Sequence, residues 1–266
     1  MLRVTDNLIA KPIKYTLLSM LMDLPLFFIS DIHLMLHPQN NEDIKKTKLF
    51  RFLDYVIESK GTLFIVGDLF DFWFEYKHVI PKVYFPLLTK LYQVRKTGVE
   101  IHYILGNHDY WVQDFITDTI MTKTYFDDTT LRLNGKHFYI THGDGLLSWD
   151  HAYRVLKRVI RNPWFIKCFR GLHPNLGYRF ANWVSKHGQH FVHTDEYNKR
   201  IVEDLLIFAH TKFEAGYDYV ITGHYHQVRE VVKTGGKLVI LGDWINYYSY
   251  AIFDGQDLTI KTWDKQ

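Results

Sequence analysis

The sequence predicts an α/β domain in which two stacked sheets are flanked by helices. Three observations carry this. Apolar strand segments alternate with helical segments through the first two-thirds of the chain, the pattern of parallel βα units. Paired strand signals around short turns come later, the pattern of hairpins. Between them, from about residue 150 to 193, a basic and aromatic helical stretch interrupts the α/β rhythm. The chain has 266 residues, 47% of them hydrophobic, and no repeat or low-complexity tract, so one domain over 1–266 can bury a single large core.

Each element has its own signal. Residues before about Tyr15 read as an irregular extension. Leu24 to Ser30 reads as the first core strand. Leu49, Phe52, Leu53, Val56 and Ile57 form one stripe of a helix from Ile44 to Lys60, stopped by Gly61. Thr62 to Val66 is a short apolar strand. Pro81 to Thr97 reads as a helix and Val99 to Leu105 as the next strand. Asn134-Gly135 between Leu131–Leu133 and His137–Thr141 marks a hairpin. In the insert, Ala152, Val155, Leu156, Val159 and Ile160 make an apolar helical stripe, with Arg154, Lys157, Arg158 and Arg161 on other faces. Pro163 ends that helix, and a second helical stretch runs from about Gly177 to His190. Glu196 to Ala215 is a helix, Tyr217 to Thr222 and Lys237 to Leu241 are strands, and Tyr250–Phe253 with Leu258–Trp263 forms a closing hairpin.

Composition removes several function classes. The single cysteine, Cys168, cannot build an internal disulfide or a thiolate-rich zinc site, and fits a reducing, cytoplasmic setting. The apolar run from Tyr15 to Ser30 is broken by Asp23 and Pro25, too short to span a bilayer and without a cleavage site for a secretory signal. Net charge is only +3, but residues 151–194 hold eight Lys or Arg and no Asp or Glu. Such a surface meets anions, either phosphate groups or the acidic heads of a membrane, and its mixture with bulky aliphatics speaks against nucleic acid.

Five strand segments end alike, in Gly, Ser or Thr followed by Asp, Asn or His: Ser30-Asp31-Ile32-His33, Gly67-Asp68, Gly106-Asn107-His108-Asp109, Thr141-His142-Gly143-Asp144 and Gly223-His224-Tyr225-His226. In α/β sheets ligands gather at the carboxyl ends of strands, so the five clusters are expected to converge. Carboxylates, imidazoles and an amide oxygen suit divalent ions such as Mn, Fe, Co or Zn. Asp31 and His33 are two apart, as are His224 and His226, a spacing that puts both side chains of an extended pair on one side.

This set of motifs resembles the calcineurin-like metallophosphoesterases from about Leu24 to about Asp243. The resemblance implies a four-layer α-β-β-α sandwich with two metals at the strand ends, manganese being the expected ion. By motif position, Asp31, His33, Asp68 and His226 would hold the first metal. Asp68, Asn107, His142 and His224 would hold the second, with Asp68 bridging. Two metals activate a water for in-line attack and clamp phosphoryl oxygens. His108 is then expected to give a proton to the leaving oxygen or to stabilise the transition state, and Asp109 to be the carboxylate that orients it. Asp71, Asp144 and Asp243 are expected near the site but not as ligands.

Two further stretches, Gly67-Asp68-Leu69-Phe70-Asp71-Phe72-Trp73 and His142-Gly143-Asp144-Gly145-Leu146 running into Asp150 and Tyr153, are similar to the UDP-2,3-diacylglucosamine diphosphatases of lipid A synthesis. That likeness implies a nucleotide-linked acylated sugar as substrate, cleaved to 2,3-diacylglucosamine 1-phosphate and UMP. It also implies that the insert forms a lid over the acyl chains, with Asp150, Arg179, Ser185 and Lys186 as substrate contacts, and a peripheral place on the inner membrane. One departure stands out: the best-known branch of those enzymes has Arg where this chain has His108, which changes a fixed charge into a titratable one. The competing expectation is a metallophosphoesterase of another specificity, such as a nucleotide phosphodiesterase or dinucleoside polyphosphate hydrolase.

Overall fold

Strands buried on both faces decide the architecture of this chain. The computed structural model describes residues 22–38, 41–180 and 194–264. In the first strand, β1 (Leu26–Ile29), Phe27 and Ile29 point one way and Leu26 and Phe28 the other, and all four are buried. Successive side chains of a strand project to opposite faces, so such a strand needs cover on both sides. The first sheet supplies the frame, in the order β11-β10-β1-β2-β3-β4. Here β2 is Thr62–Val66, β3 Ile101–Ile104, β4 Lys123–Tyr125, β10 Ser249–Phe253 and β11 Leu258–Thr262. Strands β1 to β4 are parallel, while β10 and β11 add antiparallel. The second sheet runs β5-β6-β7-β9-β8, comprising β5 (Thr129–Leu133), β6 (Lys136–Thr141), β7 (Tyr219–Thr222), β8 (Val228–Lys233) and β9 (Gly236–Leu241), with β6, β7 and β9 parallel.

Three apolar clusters fill the gaps between four layers. Helices α1 (Glu42–Glu58) and α2 (Phe85–Lys96) lay Leu49, Phe52, Leu53, Val56, Leu87 and Leu91 on Phe27, Ile29, Leu63 and Ile65. Leu26, Phe28, Phe64 and Val66 of the first sheet meet Phe138, Ile140, Ile221 and Val239 of the second. The long helix before β7, Asp195–Glu214, covers the outer face of the second sheet with Ile201, Leu205, Ala209 and Phe213. This is the expected α-β-β-α sandwich, and its parallel strands place the carboxyl ends of β1, β2, β3, β6 and β7 on one rim.

The insert departs from expectation. Helix α3 (His151–Ile160) is followed by a second helix, α4 (Pro163–Arg170), not anticipated from sequence. Pro163 does end α3, but it is also the first residue of α4, a position where its missing N–H costs nothing. The Asn162 side chain caps α4 by accepting the Trp164 N–H at 2.8 Å. Residues 174–180 are helical again; the rest of the expected helix to His190, with Ser185 and Lys186, lies outside the described residues. The structure also settles which way α3 faces, a point its period leaves open. Its apolar stripe is turned outward, with Val155 58%, Leu156 53% and Val159 49% exposed. Three of the cations turn inward while Arg158 stays exposed: Arg154 donates to the carbonyls of Leu147 and Ser148, and Lys157 and Arg161 reach Asp144. Strands β4 and β8 were also not anticipated. The first has only three residues and the second is a largely exposed edge, so neither shows a strand period.

The seam between the sheets should be sensitive to lost volume. Phe28 is fully buried and stacks on Phe64 at 5.0 Å and Phe138 at 6.4 Å. Phe28→Ala is expected to destabilise the fold by about 3–5 kcal/mol, the usual range for a deleted core aromatic. Urea unfolding measures this, and a loss below about 1 kcal/mol would show that the seam collapses around the gap.

Candidate metal centre

The five expected strand-end clusters do meet, and the backbone bends to bring them there. Asp31 (φ 53°), His33 (φ 45°), Asp68 (φ 52°), His224 (φ 69°) and His226 (φ 51°) all occupy the left-handed region. For a non-glycine residue that conformation costs about 1–2 kcal/mol. It persists only where surrounding bonds over-determine it, and such residues gather at functional sites. Those bonds are present. The Asp31 and His33 amides donate to the Gly67 and Asp68 carbonyls, and the His224 amide donates to the Asp31 carboxylate at 2.8 Å. The expectation that Asp31–His33 and His224–His226 are extended pairs is therefore wrong. His224 and His226 instead diverge into different groups of side chains.

Three such groups have ligand atoms within 4.8 Å of one another: Asp31, His33 and His226; His33, Asp68 and His108; and Asp68, His142 and His224. Asp68 Oδ2 lies 3.3 Å from His142 Nε2, 3.6 Å from His33 Nε2 and 4.0 Å from His108 Nε2. Asp31 Oδ1 is 3.7 Å from both His33 Nε2 and His226 Nε2. Asn107 joins through its side-chain oxygen, 3.1 Å from His142 Nε2. All seven residues anticipated as metal ligands thus lie in one contiguous arrangement.

Three imidazoles are held by Nδ1 so that Nε2 faces inward. His142 Nδ1 is 2.9 Å from the Val66 carbonyl, His108 Nδ1 is 2.6 Å from the Asp71 carbonyl, and His226 Nδ1 is 3.2 Å from Asp243 Oδ2. An Nδ1–H donated to an oxygen fixes the tautomer and leaves Nε2 able to bind a cation. Asp243 is itself anchored, its other oxygen accepting the Ile245 and Asn246 amides.

The electrostatics show how strongly the buried charges of the site act on one another. Burial should raise the Asp31 carboxyl, yet His33, His226 and His142 together hold it down at about 2. Burial should lower His142, yet Asp68, Asp31 and Asp144 push it up to about 10. His224 is lowered to about 4 by burial and by the neighbouring His142. Buried carboxylates are here balanced by protons on imidazoles, a role divalent cations fill more strongly. Asp31 Oδ1 and His33 Nε2 are buried with no hydrogen-bond partner among the described residues. A buried polar atom without a partner is unfavourable, and here both atoms are good ligands. The residues present therefore fit divalent metal ions.

Asp109 does not do what was expected of it. Its carboxylate turns inward, fully buried, and accepts the Leu69 amide at 2.7 Å, the Gly106 amide at 2.8 Å and the Tyr103 hydroxyl. It ties the loops after β2 and β3 together, and the Asp71 carbonyl orients His108 instead. The sequence could not separate these roles, because an adjacent carboxylate is equally available for either. Asp144 proves more connected than its sequence position indicated. It pairs with Lys157 at 2.8 Å and Arg161 at 3.2 Å and accepts the Tyr153 hydroxyl at 3.0 Å, clamping α3 to the His142 loop. Asp150 starts α3, half-buried and within electrostatic reach of Arg154. Arg179 is exposed on the helical residues 174–180. Neither falls in the three ligand groups.

Separate jobs for His108 and Asp109 have measurable consequences. Asp109→Ala leaves two amides and a hydroxyl unpaired, and is expected to destabilise the fold by about 3 kcal/mol or more. His108→Ala should cost clearly less, about 1 kcal/mol, since its ring is partly exposed and makes a single hydrogen bond, to the Asp71 carbonyl. Strong coupling of the two substitutions in a double-mutant cycle of unfolding would restore the idea that one orients the other.

Among the described residues no helix is long and apolar enough to cross a membrane. The calcineurin-like phosphoesterase family model matches residues 24–228. A UDP-2,3-diacylglucosamine hydrolase of Porphyromonas gingivalis is 29% identical over 253 residues, covering 89% of this chain and 97% of that protein. The enzyme of the same name from Neisseria meningitidis is 27% identical over 234 residues, covering 85% and 92%. Among solved structures, a phosphoesterase from E. coli superimposes with a TM-score of 0.46 at 16% identity, covering 91% of this chain and 94% of that one. The protein belongs to the calcineurin-like phosphoesterase family and is a metal-dependent hydrolase.

Proposed function

We propose that this hydrolase cleaves the pyrophosphate of UDP-2,3-diacylglucosamine, releasing UMP and 2,3-diacylglucosamine 1-phosphate. The observation that carries the proposal is the outward apolar face of α3, fastened beside the phosphoesterase centre by Asp144, Lys157 and Arg161. A water-facing row of Val155, Leu156 and Val159 has no use in hydrolysis of a small polar nucleotide. Acyl chains would cover it, each buried CH₂ contributing roughly 0.8 kcal/mol. Leu172, Leu176 and Phe180 of the same insert are exposed as well, and so are the cations Arg158, Lys167 and Arg179. That mixture also suits peripheral contact with an anionic membrane. The relatives named for this substrate, at 27–29% identity over most of the chain, point the same way.

In this reading Asp31, His33, Asp68 and His226 hold one divalent ion, and Asp68, Asn107, His142 and His224 hold another, with Asp68 shared; Mn²⁺ is the proposed ion. When bound, such a pair supplies a nucleophilic water at neutral pH and neutralises charge on the phosphoryl oxygens. The protein's own groups do the rest. His108 keeps a proton on Nδ1 for the Asp71 carbonyl and presents Nε2 to the cleft. Burial lowers its pKa, while Asp68 and the hydrogen bond to the Asp71 carbonyl raise it; in this reading Nε2 is the group that gives a proton to the leaving oxygen. Asp150 and Arg179, with Ser185 and Lys186 beyond the described residues, are the proposed substrate contacts.

The direct test is ³¹P NMR of the Mn²⁺-loaded protein with UDP-2,3-diacylglucosamine, where UMP should accumulate. Absence of turnover, with rapid hydrolysis of a nucleotide or phosphoprotein under the same conditions, overturns the assignment. Asp68→Ala should lose metal and nearly all activity. His108→Ala should keep its metal and lose about 10²–10⁴-fold in kcat, the usual worth of a positioned acid. An unchanged rate across pH removes His108 from the mechanism. Leu156→Glu with Val159→Glu should raise KM for the diacylated substrate and leave the slower turnover of unacylated UDP-glucosamine alone. Equal effects on both substrates remove α3 from acyl-chain recognition.

A further inference from the structure

We propose that Glu42 and Lys45, a buried ion pair on the first turn of α1, are positioning residues that aim His33 into the metal centre. The proposal rests on the two-metal reading above. Helix α1 otherwise offers apolar residues to the sheet, yet these two charged side chains are as buried as its core, at 3% and 6% exposure. Their contacts run in a chain. The Met35 amide donates to Glu42 Oε1 at 2.9 Å, Lys45 Nζ sits 3.0 Å from Glu42 Oε2, and the same Nζ donates to the His33 carbonyl at 2.7 Å. The pair thus grips the loop after β1 at two points, residues 33 and 35, from the side facing α1.

The loop is gripped from the other side as well. The His33 amide donates to the Asp68 carbonyl at 2.9 Å, the Leu34 amide to the Leu69 carbonyl at 3.1 Å, and the Asp71 amide returns to the Leu34 carbonyl at 2.9 Å. Between the two grips His33 is held at φ 45°, which a β-carbon-bearing residue leaves unless it is constrained. That torsion directs Nε2 to within 3.7 Å of Asp31 Oδ1 and 3.6 Å of Asp68 Oδ2. Without the bonds to Lys45 and Glu42, the loop that carries His33 would be held only from the side of β2.

A role in stability alone is a poor account of this pair. Buried ion pairs commonly contribute little net stability, and apolar residues of similar volume often replace them without loss. What apolar residues cannot do is fix a carbonyl and an amide at set points. Groups that orient a metal ligand from behind typically control about 10–100-fold in metal affinity. The first metal group, Asp31 with His33 and His226, is the one this grip serves; the group of Asp68, His142 and His224 contains no residue of that loop.

The experiment is a calorimetric Mn²⁺ titration of the metal-stripped full chain, together with its thermal unfolding. His226→Ala identifies which isotherm belongs to the first group. The apolar pair Glu42→Leu/Lys45→Met is expected to melt within a few degrees of the parent, and to bind its first-group Mn²⁺ about 10–100-fold more weakly with the second group unchanged. Should that variant fail to fold, Lys45→Gln decides in its place, with the same first-group loss expected. Parent affinity at the first group in the folded variant overturns the proposal. So does a loss shared equally by both groups and following the melting temperature, because that is the mark of a structural role. A parent chain that takes up no Mn²⁺ overturns the two-metal reading, and this inference with it.

Discussion

One buried carboxylate organises the active end of this molecule. Asp68 sits at the end of β2 with 1% of its surface exposed, and His33, His142 and His108 stand around it from three other strand ends. An ionised carboxylate taken out of water must be paired or coordinated. Against the effect of burial, its charge raises the pKa of His142 and His108. The strained turns follow from the same demand. A strand that simply continued would carry its polar residue past the rim, so the chain doubles back at Asp31, Asp68 and His224 to keep each ligand near this one charge.

Around that centre the protein uses further buried charges as fasteners. Asp109 joins the loops after β2 and β3 through two amides and a hydroxyl. Asp243 holds His226 while its second oxygen collects amides of the following turn. Asp144 fastens the insert to the His142 loop. Each carboxylate takes an otherwise mobile loop and gives it one arrangement, which a ligand set held to fractions of an ångström requires. The insert gains a second property from its fastening. Because Arg154, Lys157 and Arg161 are engaged by Asp144 and by loop carbonyls, the apolar face of α3 is left for something outside the chain.

Much of the architecture was legible before the structure. The strands ending at Ile29, Val66, Ile104, Thr141 and Thr222 each pair local apolar sequence with a polar terminus, and each appears where its pattern placed it. Burial on both faces makes β1, β2, β3 and β7 conspicuous, since most of their residues are apolar. Elements that lack a period were missed: β4 with three residues, β8 on an exposed edge, and α4, whose opening proline resembled a stop. In the insert the amphipathic period of α3 was read correctly, but periodicity does not say which face is covered. Here the usual assumption of an inward apolar face fails.

The sequence by itself determined the order of strands and helices, and that carboxylate, amide and imidazole groups stand at five strand ends. These are local properties, written in the spacing of apolar residues and in single motifs. The tertiary structure alone decided how those groups share partners. It sends His224 and His226 to different neighbours, turns Asp109 inward, turns the stripe of α3 outward and threads Glu42 and Lys45 beneath His33. These outcomes depend on contacts between residues far apart in the chain, as when the His224 amide meets the Asp31 carboxylate across 193 positions. No pattern within one segment encodes a distance of that kind, because it is set by how two sheets and their helices pack.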